Sequence, residues 1–267
     1  MSREPLRGLA ALLLAACALL AGCVSSSTTS SGREPRTASD QTDADRRARV
    51  RLELAGLYLG RGQLDTALDE VKRAIAAKPD MAEAYNMRGL VYGSMNEVQL
   101  AEESFQRALQ LAPRDSDTMH NYGWFLCQQR RWAESDTQFN AALAQPQYRD
   151  PVRTLLAQGV CQARAGRWPE AERTLSRSYE LDPGNPVTAY NLSDVLMRRG
   201  ELERARFYVG RINAQPELTN AQSLWLAARI ERRIGNLQAV QEFGRKLQER
   251  FPESAEVLLF EKGRFDD

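Results

Sequence analysis

The chain has 267 residues, 27% of them charged, and its 36 basic and 35 acidic side chains leave a formal net charge of +1. That balance gives no electrostatic footprint for nucleic acid. His120 is the single histidine and no other His or Cys stands at ligand spacing from it, so neither a metal nor a cofactor is expected.

The first element is an apolar run, Leu9 to Leu20, preceded by Arg3 and Arg7. It is shorter than the roughly 20 residues that a bilayer-spanning helix needs, and it fits the apolar core of a secretory signal. The run ends in Leu20-Ala21-Gly22-Cys23, which resembles the lipobox of bacterial lipoproteins. The resemblance implies cleavage before Cys23, a signal over residues 1–22, and acylation of the Cys23 thiol and its new amine; an ordinary signal with an incidental Cys, or a short uncut anchor, are the alternatives. Val24 follows where the lipoprotein sorting rule places Asp for inner-membrane retention, so the resemblance implies the periplasmic face of the outer membrane, in a diderm bacterium. Residues 23–45 are rich in Ser, Thr, Arg and Asp and offer little to bury, as in a flexible tether.

From there the chain repeats. Pro79 and Pro113 lie 34 apart, Pro113 and Pro183 lie 70 apart, and Pro183 and Pro252 lie 69 apart. A 34-residue period is that of the tetratricopeptide repeat, two antiparallel helices per unit. "GQLDTALDEVKRAIAAKPD" (Gly62 to Asp80) and "GRWPEAERTLSRSYELDPG" (Gly166 to Gly184) share Gly, Ala and Pro in register, and Ala84 to Pro113 carries the family landmarks Tyr85, Gly89, Tyr92, Ala101, Phe105, Ala108 and Pro113. The expected fold is an all-α right-handed superhelix of about six helix pairs over residues 46–254, with units near 48–81, 82–115, 116–151, 152–185, 186–220 and 221–254. The third unit carries two extra residues. The sixth is degraded at Val240 and Gly244, as a terminal repeat would be, and residues 255–267 are read as a cap or tail.

Each landmark has a packing reason. Gly89, Gly123 and Gly159 let the first helix approach its partner, Ala67, Ala101, Ala171 and Ala205 do the same for the second, and Tyr58, Tyr92, Phe105 and Phe139 fill the space between units. Gly62, Gly166, Gly200 and Gly235 fall where a left-handed residue ends the first helix. The prolines stop the second.

Such a stack presents a concave groove lined by first helices, suited to extended or helical peptide segments. The family's groove positions imply that Leu52, Asn86, Leu90, His120, Trp124, Leu156, Val160, Tyr190 and Asp194 line it, an apolar and aromatic set with a few polar groups. Any of these can instead be core, Leu156 and Val160 above all. No nucleophile–base pair, metal cluster or phosphate loop is visible, and no catalytic residue is expected. Cys127 and Cys161 occupy first helices of consecutive units, where they can face each other as a disulfide in an exported compartment or remain two buried thiols.

The stretches "HNYGWFLCQQRRWAESDTQFNAAL" (His120 to Leu143), "YRDPVRTLLAQGVCQARAG" (Tyr148 to Gly166) and "SLWLAARIERRIGN" (Ser223 to Asn236) resemble the PilW/PilF family of type IV pilus biogenesis lipoproteins. The resemblance implies a pilotin, which helps an outer-membrane secretin reach its membrane and form its multimer. Its implied partners are the secretin or an accessory pilus-assembly protein, and the membrane through the lipid. A lipoprotein adaptor for cell-wall enzymes or outer-membrane assembly shares the same architecture and is the competing reading.

Overall fold

The computed structural model describes residues 42–265, and Cys23 and its flanks lie outside them. Thirteen helices follow one another among the described residues, with no strand. They are α1 (Asp43–Gly60), α2 (Leu64–Ala77), α3 (Ala82–Ser94), α4 (Val98–Leu111), α5 (Ser116–Gln128), α6 (Trp132–Leu143), α7 (Pro151–Arg164), α8 (Trp168–Leu181), α9 (Pro186–Arg198), α10 (Leu202–Asn213), α11 (Ala221–Ile234), α12 (Leu237–Arg250) and α13 (Ala255–Glu261). The first twelve form six pairs, each joined by two or three residues, and so short a link forces antiparallel neighbours.

The turns explain the breaks. Gly62, Gly166, Gly200 and Gly235 hold φ between 72° and 92°, while units two and three use Asn96 (φ 61°) and Arg130 (φ 59°) at the same place. After α2, α4, α8 and α12 the chain leaves helical backbone at Lys78, Ala112, Asp182 and Phe251, each the residue before a proline. Proline disfavours helical backbone in the residue before it, so each helix stops there. Asp115, Asp150, Asn185 and Asn220 then cap α5, α7, α9 and α11 with their side chains.

Packing within a pair rests on missing side chains. A Cβ on Gly89 would stand 2.7 Å from the Phe105 ring, one on Gly123 2.9 Å from Phe139, and one on Gly159 2.6 Å from Leu175. Where serine replaces a small residue, its hydroxyl is satisfied across the pair: Ser135 donates to the Gly123 carbonyl at 2.7 Å and Ser193 to that of Ala205 at 2.8 Å. The core is a string of clusters along the stack, for example Ala55, Ala67 and Val71 near its start and Leu192, Leu196 and Ile230 towards its end. Each unit is thereby stabilised chiefly by its neighbours.

Acidic residues at one repeat position tie successive units together. Glu102 takes both arms of Arg131 at 2.6 and 2.9 Å, Asp136 pairs with Arg167 at 2.6 Å, and Glu172 pairs with Arg199 and, at 2.7 Å, with Arg204. At the last junction the charges are exchanged, with Arg206 donating to Glu231 at 2.7 and 2.8 Å. Tyr122 also donates to Glu102, and burial together with that carboxylate pushes the phenol up to about 12.

Two expectations change at the ends. The helical array begins at Asp43, so residues 43–45 of the expected tether are helix; Thr42 and Asp45 form a capping box, and Asp45 also pairs with Lys78. At the other end, Gly244 is an accommodated small residue rather than mere degradation. It stands where Phe105 and Phe139 stand in earlier units, and Phe260 of α13 occupies the volume that a side chain on Gly244 would need.

Candidate protein-binding groove

First helices of adjacent units touch one another along the stack, whereas second helices of adjacent units do not. The spacing is therefore tighter on the first-helix side, and α1, α3, α5, α7, α9 and α11 line the inner face.

Along that face the structure separates the expected residues. Leu52 is half-buried against the first cluster of the array, Leu90 against the cluster of Phe105, Tyr122 and Phe125 shared by units two and three, and Leu156 and Tyr190 against the large cluster around Leu192 and Leu196. Burial raises the Tyr190 phenol above its ordinary pKa. Val160 and Asp194 keep partly exposed positions, with Asp194 accepting from Arg198 at 2.8 Å. Trp124 is half-buried over the cluster of Cys127, Phe139 and Cys161, and its ring carries the Arg164 guanidinium 5.0 Å from its centroid.

His120 is corrected from groove to core. It is 6% exposed, its Nδ1 lies 2.8 Å from the Thr154 hydroxyl, and Thr154 is bonded in turn to Tyr148. Burial first, and then the charge of Arg153, push its pKa down to about 4, while Asp150 opposes. A neutral imidazole held by Thr154 is a joint between units three and four. Position on a helical face fixed where its Cα lies, but the tilt of the side chain took it inward.

Asn86 is partly exposed and belongs to a polar ladder the sequence reading did not assemble. Asn121 donates to Asn86 at 3.2 Å, and Arg153 donates to Asn121 at 3.0 Å while its other arm lies 3.7 Å from Asp117. Three first helices are thereby linked by groups that can also meet a peptide backbone. Trp225 and Arg229 were missed as well. They fall 35 residues beyond Tyr190 and Asp194, so the period itself marks them.

Cys127 of α5 and Cys161 of α7 form a disulfide, with Cα atoms 5.8 Å apart. A surface cavity of about 510 Å³ lies among inter-unit loops and is lined by Arg114, Asp117, Tyr148 and Asp150 among others. Among the described residues no cluster of three or more His, Cys, Asp or Glu side chains is gathered for a metal, and no helix is long and apolar enough to cross a membrane.

A curved array of paired helices with a first-helix groove defines a tetratricopeptide-repeat protein, a scaffold for protein interaction. Tetratricopeptide-repeat profiles match residues 82–115, 126–186 and 162–230. The type IV pilus assembly protein PilF of Pseudomonas aeruginosa is 27% identical over 252 residues, covering 94% of this chain and 97% of PilF. The crystal structure of PilW, a widely conserved type IV pilus biogenesis factor, superposes with a TM-score of 0.72 at 32% identity, covering 79% of this chain and 96% of PilW. A crystal structure of Pseudomonas aeruginosa PilF gives 0.69 at 24% identity, covering 83% and 100%. The chain belongs to the PilW/PilF family of type IV pilus tetratricopeptide-repeat proteins.

Proposed function

We propose that this protein is a pilotin, anchored by lipid on Cys23 at the periplasmic face of the outer membrane, which binds a segment of the secretin or of an accessory pilus-assembly protein and promotes secretin multimerisation. The observation that carries the reading is family membership over nearly the whole chain, joined to a first-helix groove with exposed polar groups in units two to four. In that groove Asn86 and Asn121 meet a peptide backbone, and Trp124 offers a rigid aromatic surface held by Arg164. The acyl chains supply the membrane affinity, two or more being needed for stable anchoring.

The test is genetic and direct. Deleting the gene should abolish heat-resistant secretin multimers and surface pili while cell-wall turnover stays normal. Cys23→Ser should leave a folded, unlipidated protein that does not rescue. Asn86→Ala with Trp124→Ala should lower multimer yield with helicity and lipidation intact, since truncating an interface hot spot typically costs about 2 kcal/mol or more. Multimers and pili unchanged on deletion would remove the pilotin reading in favour of a cell-wall adaptor.

A further inference from the structure

The groove does not run open to its end. Tyr190 and Asp194 have their period equivalents in unit six at Trp225 and Arg229, and there the chain lies upon itself. After α13 the backbone turns through Gly263 (φ 65°), with Gly263 donating to the Phe260 carbonyl at 3.0 Å and Arg264 to that of Leu259 at 3.0 Å. The turn delivers Phe265 onto α11. Its ring centroid lies 5.0 Å from that of Trp225, the Arg232 guanidinium lies 5.7 Å from it, and Arg229 Nε donates to the Phe265 carbonyl at 3.0 Å.

This is how a peptide would be held. An aromatic side chain rests on an aromatic floor, and a charged donor takes the backbone carbonyl of the same residue. Arg198 and Arg233 add positive charge on the neighbouring turns of α9 and α11, Arg198 being paired with Asp194 and Arg233 donating to the Met197 carbonyl. The sequence continues from Phe265 into two acidic residues, Asp266 and Asp267, which lie outside the described residues. Phe260 already fills the hole left by Gly244, and Phe265 is a second aromatic, set between the Trp225 ring and the edge of Phe260 at centroid distances of 5.0 and 5.9 Å.

We propose that unit six carries a peptide subsite for an aromatic residue followed by acidic residues, that residues 262–265 occupy it in cis, and that a partner segment of the same chemistry displaces them. The proposal rests on the protein-binding reading of the groove and names the kind of segment that one end of it accepts. Occupancy in cis also makes partner binding conditional, because the apparent affinity falls by the fraction of molecules whose subsite is open.

The probe is a fluorescent peptide, Lys-Gly-Arg-Phe-Asp-Asp, and its version with Ala for Phe, titrated into the full chain in detergent. Wild type should bind the first peptide weakly and the second not at all. Phe265→Ala should bind the first about tenfold or more tightly than wild type does, as expected when a largely closed subsite is opened. Adding Arg229→Gln should remove that gain, and Phe265→Tyr should restore the closed behaviour. Phe265→Ala with native helicity and no gain in binding would make Phe265 a cap only and overturn the proposal, as would a gain indifferent to Arg229→Gln. Should Phe265→Ala loosen α13, wild type under excess peptide decides: hydrogen exchange at 262–265 must accelerate, and unchanged exchange under saturating peptide overturns the proposal. Pili that persist after gene deletion would remove the pilus reading and leave the subsite standing on its peptide binding.

Discussion

The junction of units three and four and the end of unit six face one packing problem and answer it differently. In the middle of the array, Gly123 opens a space that Phe139 of the same unit fills, and the joint to unit four is locked by the Cys127–Cys161 disulfide and the chain of His120, Thr154 and Tyr148. After unit six the described residues continue as the single helix α13. There Gly244 gives up the bulky side chain that its position carries elsewhere, α13 inserts Phe260 in its place, and Phe265 covers the groove positions above. Interior units thus close through local and covalent bonds that leave the groove accessible. The terminal unit closes by borrowing side chains from beyond the period, and its stretch of groove is covered as a result.

The sharpest way to break this contrast is to remove the borrowed ring. Phe260 is partly buried, so Phe260→Ala should cost local stability towards the lower end of the roughly 3–5 kcal/mol typical of core aromatics. Amide exchange should rise in α12 and α13 while α5 to α7 stay protected, because stability in such arrays is nearly nearest-neighbour. Gly244→Val in the same chain should recover part of the loss by restoring a side chain like that of Val209. Equal destabilisation along the array would show that the two regions are not independent.

Reducing the disulfide attacks the other side. It closes a 34-residue loop, worth about 3–4 kcal/mol in the chain-entropy account. Reduction should therefore lower the denaturant midpoint chiefly through units three and four, and leave the exchange of residues 262–265 unmoved.

His120 gives the middle joint a pH dependence. Its pKa is about 4 in the folded state against 6.5 for the free side chain, so the unfolded chain binds more protons between those values. Stability from this site is therefore complete above about pH 6.5 and declines as pH falls towards 4, by at most about 3 kcal/mol. Urea unfolding at about pH 7 and about pH 4.5 should show a smaller loss in His120→Gln than in wild type. An identical loss in both would remove His120 as the cause.

The same contrast explains what the sequence disclosed. A 34-residue period locates positions that recur, and so Gly89, Gly123 and Gly159 were legible as close approaches of the first helix, whereas their partners within the same unit, Phe105, Phe139 and Leu175, were not: the two rings were expected between units, and Leu175 was not singled out. It is silent wherever a contact comes from outside the repeat, as with Phe260 and Phe265. Side-chain tilt is also lost to it: His120 and Asn86 hold the same repeat position, yet one is buried against Thr154 and the other reaches Asn121 on the groove. The inter-unit pairs escaped because their partners keep register at only two junctions, Arg131 and Arg167 sharing a repeat position that the partners of Glu172 do not. Arg131 and Arg167 sit in turns, Arg204 on a helix, and the final pair exchanges its signs.

The smallest expected effect concerns the turn that every unit repeats. Unit four makes it with Gly166 at φ 74°, unit three with Arg130 at φ 59°, and both residues are exposed, so the comparison isolates backbone conformation. A residue with a Cβ is disfavoured there by about 1–2 kcal/mol, while glycine adds freedom to the unfolded chain that costs roughly 0.5–1 kcal/mol on folding. The two terms oppose each other and leave a small balance. Arg130→Gly should accordingly stabilise the fold by up to about 1 kcal/mol, and Gly166→Ala should destabilise it by a similar amount. Because Arg130 lies inside the loop closed by the disulfide and Gly166 just beyond it, the pair is best measured by denaturant midpoint with Cys127 and Cys161 oxidised in each variant. A destabilising Arg130→Gly would mean that the arginine side chain, rather than the left-handed backbone, is what holds the third turn.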